Sequence, residues 1–223
     1  MPLELENAAA ALDAEYRAVD AIASGLSEEE LLDPSGCRGW SRADLLFHML
    51  LDAQRALVTL HSPAPGPPDT DYVRYWRGFS SSDDGARAHA RFVRVASAAH
   101  ASPATIVARW LETSRAARHA ASLAGEGAVA TQGHVLTTPD FLATLVVEAT
   151  VHHLDLSAGL DREPPAPAAV ALTTLTIDGL LRSRRPPHWD DVTYLRKATG
   201  RAPLDDDDVA ALGEAAASLP VFS

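Results

Sequence analysis

Apolar residues in this chain recur at spacings of three and four over most of its length and almost nowhere alternate with the two-residue period of a strand. That spacing buries one stripe of a helix and leaves no continuous face for a sheet, so the expected fold class is all-α. Residues 4–25 read as a first helix. A second opens at GWSRADLLFHMLLDAQRALVTL, where Ser41 is a cap and Asp44 adds negative charge to the first turn, and it ends at HSPAPGPP, where four prolines and a glycine forbid helix. Residues 84–124 form a long helical stretch interrupted near Pro103. HVLTTPD then starts another helix, with Thr138 as cap and Pro139 in its first turn, that runs to about Ala158. The four long segments predict a four-helix bundle over residues 1–160. REPPAPAA marks a turn into a helical extension over 161–223, with helices near 166–184, 189–199 and 206–219, packed on the bundle.

Charge and composition narrow the partners. The formal charge is −11, with 19 Lys and Arg scattered among 30 Asp and Glu, so the chain has no basic surface for nucleic acid. No window reaches the roughly 18 uninterrupted apolar residues of a membrane span, and MPLELENAAA lacks a basic leader. A cytoplasmic protein that meets small molecules, as a monomer or homodimer, is expected. The lone Cys37 cannot form an internal disulfide and excludes a cysteine-rich zinc site. The acidic run DDDDV at 205–209 reads as a helix N-terminus with solvated charge. Lys197 is the only lysine against many arginines, and alanine is abundant, which points to a GC-rich bacterial genome.

The chemistry concentrates in EATVHHLDL, residues 148–156. On a helix Phe141, Leu145, Glu148, His152 and Asp155 fall within one narrow arc, so an acid, an imidazole and a second acid share the stripe that should be buried. His153 lies about 100° round and points elsewhere. A carboxylate and a histidine four residues apart can supply two ligands to a divalent metal, or can simply form an ion pair. A third ligand must come from another helix, and His48, His61, His89, His100, His119, His134 and His188 are the candidates. Only His48, in LLFHMLL, sits inside a strong apolar helix; on the wheel it lies between two apolar strips, beside Asp44, Asp52 and Arg55. Tyr72, Tyr75 and Trp76 in DYVRYWRGF either wall a pocket or anchor a loop, and Trp40 packs at the entry to the second helix.

GWSRADLLFHML, with a tryptophan eight residues before the histidine, and EATVHHLDL far downstream together resemble the mycothiol-dependent maleylpyruvate isomerase family of the DinB-like superfamily. CRGW before the second helix, and ATGRAPL followed by LGEAAASLP in the tail, extend the likeness. The resemblance implies a DinB-like four-helix bundle that binds zinc through a histidine on its second helix and a Glu-x3-His on its fourth, here His48, Glu148 and His152. It implies mycothiol as cosubstrate, in keeping with an actinobacterial genome. The archetypal isomerase carries a larger mixed α/β C-terminal domain, whereas residues 160–223 here read as short and helical.

Two histidines and a carboxylate leave one open position on a tetrahedral zinc, and a thiol bound there loses its proton near neutral pH. The function expected is zinc-dependent activation of a low-molecular-weight thiol, mycothiol by resemblance, for transfer to or isomerisation of a small electrophile. Asp155 is a candidate to orient His152, or else an ordinary acid near the helix end. Arg55 is a candidate to hold an anionic substrate or thiol head group, or to pair with Asp52. Cys37 reads as a small packed residue, since an exogenous thiol makes a protein thiol unnecessary. The same ligand set also serves non-haem iron, and a non-catalytic metal- or ligand-binding bundle is the alternative from a different class.

Overall fold

A computed structural model describes residues 3–62, 64–78, 84–181 and 185–221. Its long helices are α1 (Leu5–Gly25), α3 (Arg42–Leu60), α5 (Pro103–Leu123) and α6 (Thr138–Leu156), with the short α2 (Glu28–Leu32) after the first and α4 (Asp84–Ala98) ahead of α5. α1 packs on α5 and α6, and α3 packs on the same two helices, so the four close into a bundle. Leu12, Leu45, Leu46, Phe141, Leu142 and Leu145 fill its centre, and Tyr16 packs tilted against Trp110 with ring centroids 5.2 Å apart. α4 lies outside this ring against α3 and buries only Val93 and Ser97.

Local chemistry sets the ends of these elements. Ser41 Oγ accepts from the Asp44 amide while the Asp44 carboxylate accepts from the Ser41 amide, so the cap expected from sequence is a full capping box. Ser27 and Glu30 form a second one and start α2, a helix that the spacing of apolar residues does not announce. The long stretch over 84–124 breaks over 99–102, and Pro103 opens α5. α6 is capped by Thr137 and not by Thr138: Thr137 closes a strand and its hydroxyl accepts from the Asp140 amide, leaving Thr138 as the first helical residue.

The Gly-rich loop before α6 is in fact a hairpin of β1 (Ala128–Thr131) and β2 (His134–Thr137), joined by Gln132 and Gly133, both at positive φ. A two-residue turn with both residues left-handed matches the twist of such strands. Four-residue strands are too short for alternation to register in the sequence.

α6 is buried nearly all round, between α1, α3 and the tail helix α7 (Pro167–Leu181). Only Asp140, Glu148 and His152 along it keep partial exposure. Its C-terminal carbonyls are satisfied by the buried Arg42, whose guanidinium donates to Leu156 O at 3.0 Å and to Ala158 O at 2.7 Å. On the opposite side the fully buried His153 sits 2.8 Å from Glu15 Oε1 of α1 and 3.0 Å from Glu163 O, while Glu15 Oε2 accepts from the Ala166 amide at 2.8 Å. This buried cluster ties α1, α6 and the turn into α7 together. No helix among the described residues is long and apolar enough to cross a membrane.

Ala169 and Leu172 of α7 belong to the core of the bundle. Beyond α7, α8 (Asp191–Ala198) and α9 (Asp206–Leu212) build a second apolar cluster with Leu154 of α6 and Val170 and Ile177 of α7, closed by a 3-10 turn over Gly213–Ser218. Residues 182–184, at the end of the first expected tail helix, and Phe79, at the end of DYVRYWRGF, lie outside the described residues. Asp208 is the polar centre of the tail: it opens α9 in a capping box with Asp205, accepts from Trp189 Nε1 at 2.6 Å and pairs with Lys197 and His188. Burial pushes its carboxyl up, and Lys197, the Asp205 amide and Trp189 outweigh that and hold it well below the ordinary 3.8. The ionised form is therefore favoured by folding, and its contribution is present above pH 3.8 and lost as pH falls through the depressed folded value. Asp208→Asn is expected to speed amide hydrogen exchange in α8 and α9 at neutral pH, and the wild-type tail should loosen in the same way on acidification.

Candidate metal centre

α3 and α6 run antiparallel, so the second turn of α3 faces the last turns of α6. This brings His48 to Glu148 and His152 across 100 residues of chain. His48 Nε2 lies 3.1 Å from Glu148 Oε1, and His152 Nε2 lies 3.4 Å from the same oxygen. All three ligand atoms fall within 4.8 Å of one another. Two donors about 2.1 Å from one tetrahedral zinc ion sit roughly 3.4 Å apart, so the spacing suits a shared cation.

The far side of each ring sharpens the fit. His152 Nδ1 lies 3.0 Å from Asp155 Oδ2, a carboxylate that can only accept, so Nδ1 carries a proton. A neutral His152 then aims its Nε2 lone pair at the Glu148 carboxylate, an arrangement made favourable by a cation between them or by a second proton on the ring. Burial works against the charged imidazole; Cys37, Asp155 and Glu148 outweigh it and hold His152 well above the ordinary histidine range. Burial likewise raises the Glu148 carboxyl, and His152 and His48 overcome this and hold it well below its usual range. His48 Nδ1 lies 3.2 Å from His89 Nε2 of α4. The rings of Trp40, His89 and His152 surround that of His48 at centroid distances of 5.3, 5.3 and 4.9 Å.

Asp155 is 2% exposed at its side chain and joins several segments. Arg201, just beyond α8, donates from Nε to Oδ1 at 2.9 Å and from Nη2 to Oδ2 at 2.6 Å, a two-pronged grip. Burial raises the Asp155 carboxyl, and His152 and Arg201 together hold it well below the usual carboxylate range. The loop before α3 presses on the same residue: Gly36 N donates to Asp155 O at 2.8 Å, and a Cβ at Gly36 would stand 2.5 Å from Asp155 Oδ1 and 2.8 Å from its Cα. Only glycine permits that approach. Cys37 Sγ follows, 3.2 Å from Asp155 Oδ2 and 3.7 Å from His152 Nδ1.

Arg55 reaches Asp52 Oδ1 through Nε at 3.3 Å and Nη2 at 3.2 Å, and donates from Nη1 to Thr131 of the hairpin at 3.3 Å. The partner weighed for it from sequence is thus the one it has. Asp52 Oδ2 is buried, 3.8 Å from His48 Nε2, and has no hydrogen-bond partner among the described residues. Tyr75 donates to Gln132 in the hairpin turn, and Trp76 packs with Val147 and Val151 of α6.

The sequence points to His48, Glu148, His152 and Asp155, which the fold brings together, and offers His89 only as a possible third ligand. Nothing in it singles out Arg201 or Gly36, and Cys37 reads there as a packed residue alone. The remaining histidines lie elsewhere: His61 and His100 bond helix-end carbonyls, His134 pairs with Asp69, His188 with Asp208, and His119 lines an open groove between α1 and α5.

The family model of the mycothiol maleylpyruvate isomerase N-terminal domain matches residues 12–157, well over half of the chain. The chain belongs to this family. The match takes in His48, Glu148, His152 and Asp155 and stops short of Arg201. Two solved structures share the fold. One is the mycothiol-dependent maleylpyruvate isomerase, at TM-score 0.53 and 16% identity, covering 78% of this chain and 68% of that one. The other is a histidine-to-alanine variant of the mycothiol-dependent maleylpyruvate isomerase, at TM-score 0.55 and 15% identity, covering 78% and 70%. No curated protein matches the chain. The all-α, DinB-like architecture expected from the resemblance is the one found.

Removing one of the two cationic partners of a buried carboxylate leaves its charge only partly compensated, which costs up to roughly 3 kcal/mol. Arg201→Met is expected to lower stability by up to that much in urea unfolding at neutral pH, whereas Arg196→Met, on the exposed face of α8, should change it little.

Proposed function

We propose that this chain is a metal-dependent enzyme that uses a low-molecular-weight thiol, mycothiol, to attack a small electrophilic substrate, with transfer or isomerisation as the outcome. The observation that carries the reading is the convergence of His48 Nε2, Glu148 Oε1 and His152 Nε2 from two helices, in a chain whose family is named for that thiol. Those three side chains would hold the ion, and zinc suits a set of two imidazoles and a carboxylate. Bound there, zinc supplies the positive charge that makes a nearby thiol a thiolate near neutral pH.

The protein's own part is orientation. Asp155 accepts from His152 Nδ1 and thereby fixes the ring with Nε2 turned to Glu148. Arg201 and the Gly36 amide hold Asp155 in place, so the tail contributes to the centre through that carboxylate. Arg55 acts through Asp52: it holds Oδ1 and leaves Oδ2 on the His48 side of the centre, 3.8 Å from His48 Nε2, where its negative charge adds to that of Glu148. Glu148 and His152, the partly exposed positions in this part of an otherwise buried helix, give the centre its route to solvent.

Purified protein is expected to carry about one zinc per chain. His48→Ala and Glu148→Ala should lose it while keeping a helical circular dichroism spectrum, and unchanged metal content in both would sink the proposal. Holo-protein incubated with mycothiol and a panel of electrophiles should give thiol adducts or isomerised product by mass spectrometry, at rates that the metal-free variants lose.

A further inference from the structure

The two histidines proposed as ligands are held differently from behind. His152 backs onto a carboxylate that is itself clamped by an arginine, whereas His48 backs onto another imidazole, His89, 3.2 Å away on a helix outside the bundle. A neutral imidazole has one donor and one acceptor nitrogen. For His48 Nε2 to offer its lone pair to a cation, Nδ1 must carry the proton, and His89 Nε2 must accept it. For His48 Nε2 to donate to Glu148 instead, Nδ1 must accept, and His89 Nε2 must donate. His89 can do either, because its tautomer is free to follow.

We propose that His89 is the positioning residue of His48, a reversible partner that selects which nitrogen of the His48 ring carries the proton and so sets how tightly that centre holds a divalent metal. This rests on the metal reading above. His48 is then the weaker of the two imidazole ligands, since a neutral acceptor raises the basicity of the ring less than the carboxylate behind His152 does. Among the described residues no other role claims His89: it is exposed, and its remaining ring neighbour among them is Phe92, itself half-exposed, at 6.4 Å. Substitution there leaves the core of the bundle intact.

Zinc affinity of the full chain, measured by competition with a chromophoric chelator, tests this through a series at one position. His89→Ala should weaken binding by about 10- to 100-fold, the usual cost of losing a partner behind a ligand. His89→Gln, whose amide can donate or accept, should stay within about threefold of wild type. His89→Glu, which can only accept, should bind several-fold more tightly, and His89→Lys, which can only donate, more weakly than the alanine variant. Ala88→Glu adds the same charge one residue away without facing His48 and is expected to leave affinity unchanged. Circular dichroism should be the same throughout.

Equal affinities across the His89 series, in a wild type whose zinc depends on Glu148, would overturn the role of His89 and leave the metal centre standing. Equal tightening by Ala88→Glu and His89→Glu would overturn it as well, because charge alone would then account for the effect. A wild type that binds no zinc, or binds it independently of Glu148, would remove the metal reading and this inference together.

Discussion

The antiparallel packing of α3 against α6 is the constraint on which the rest of the molecule depends. Bringing positions 48 and 148 together closes a loop of 100 residues, an entropic cost that local contacts cannot meet. The apolar faces of both helices meet it instead. Leu45, Leu46, Leu50 and Ala53 of α3, with Phe141, Leu142, Leu145 and Ala149 of α6, are essentially removed from water, and each large aliphatic side chain so buried is worth about 1.5–3 kcal/mol. The polar residues at the centre ride on this packing and could not have created it. Desolvating even a partly exposed carboxylate between two imidazoles is costly, so the arrangement needs a framework already stable for other reasons.

Asp155 extends that framework into the tail. Its side chain meets a histidine of the same helix, an arginine from beyond α8 and the thiol of Cys37, while its backbone carbonyl takes the Gly36 amide. Arg201 and the loop of Gly36 and Cys37 lie far from Asp155 in sequence, and each brings two polar contacts to this one residue. The family match covers the bundle and ends at residue 157, so the arginine that completes this junction comes from outside the matched region. A short helical tail thus reaches the centre by one charged side chain.

Much of this was legible in the sequence, and the reason differs from element to element. Ser41 with Asp44, and Pro103, act within a single turn, so local pattern finds them. The arc through Glu148, His152 and Asp155 is legible because helical periodicity is strict over two turns. The partner on another helix was harder, since His48 lies off the main apolar arc of its own helix and only the likeness to a family joined it to the pair downstream. The hairpin escaped because four-residue strands carry too little alternation, and Thr138 took the place of Thr137 as cap because adjacent threonines differ only in which one ends the strand. Arg201 and Gly36 escaped for a more basic reason: their partner is 46 residues away in one case and well over 100 in the other, and nothing in their own neighbourhood names it.

His152 and His153 are adjacent on α6 and point about 100° apart, one toward Asp155 and Glu148, the other into the buried pair with Glu15 of α1. A roll of α6 about its long axis in either direction would pull one ring or the other off its carboxylate. The helix is therefore pinned in rotation by two neighbouring residues, and the wall carrying Glu148 and His152 behaves as a fixed anvil. Whatever breathing admits a molecule to this centre must come from the opposite side, where α4 rests on α3 by one narrow buried strip.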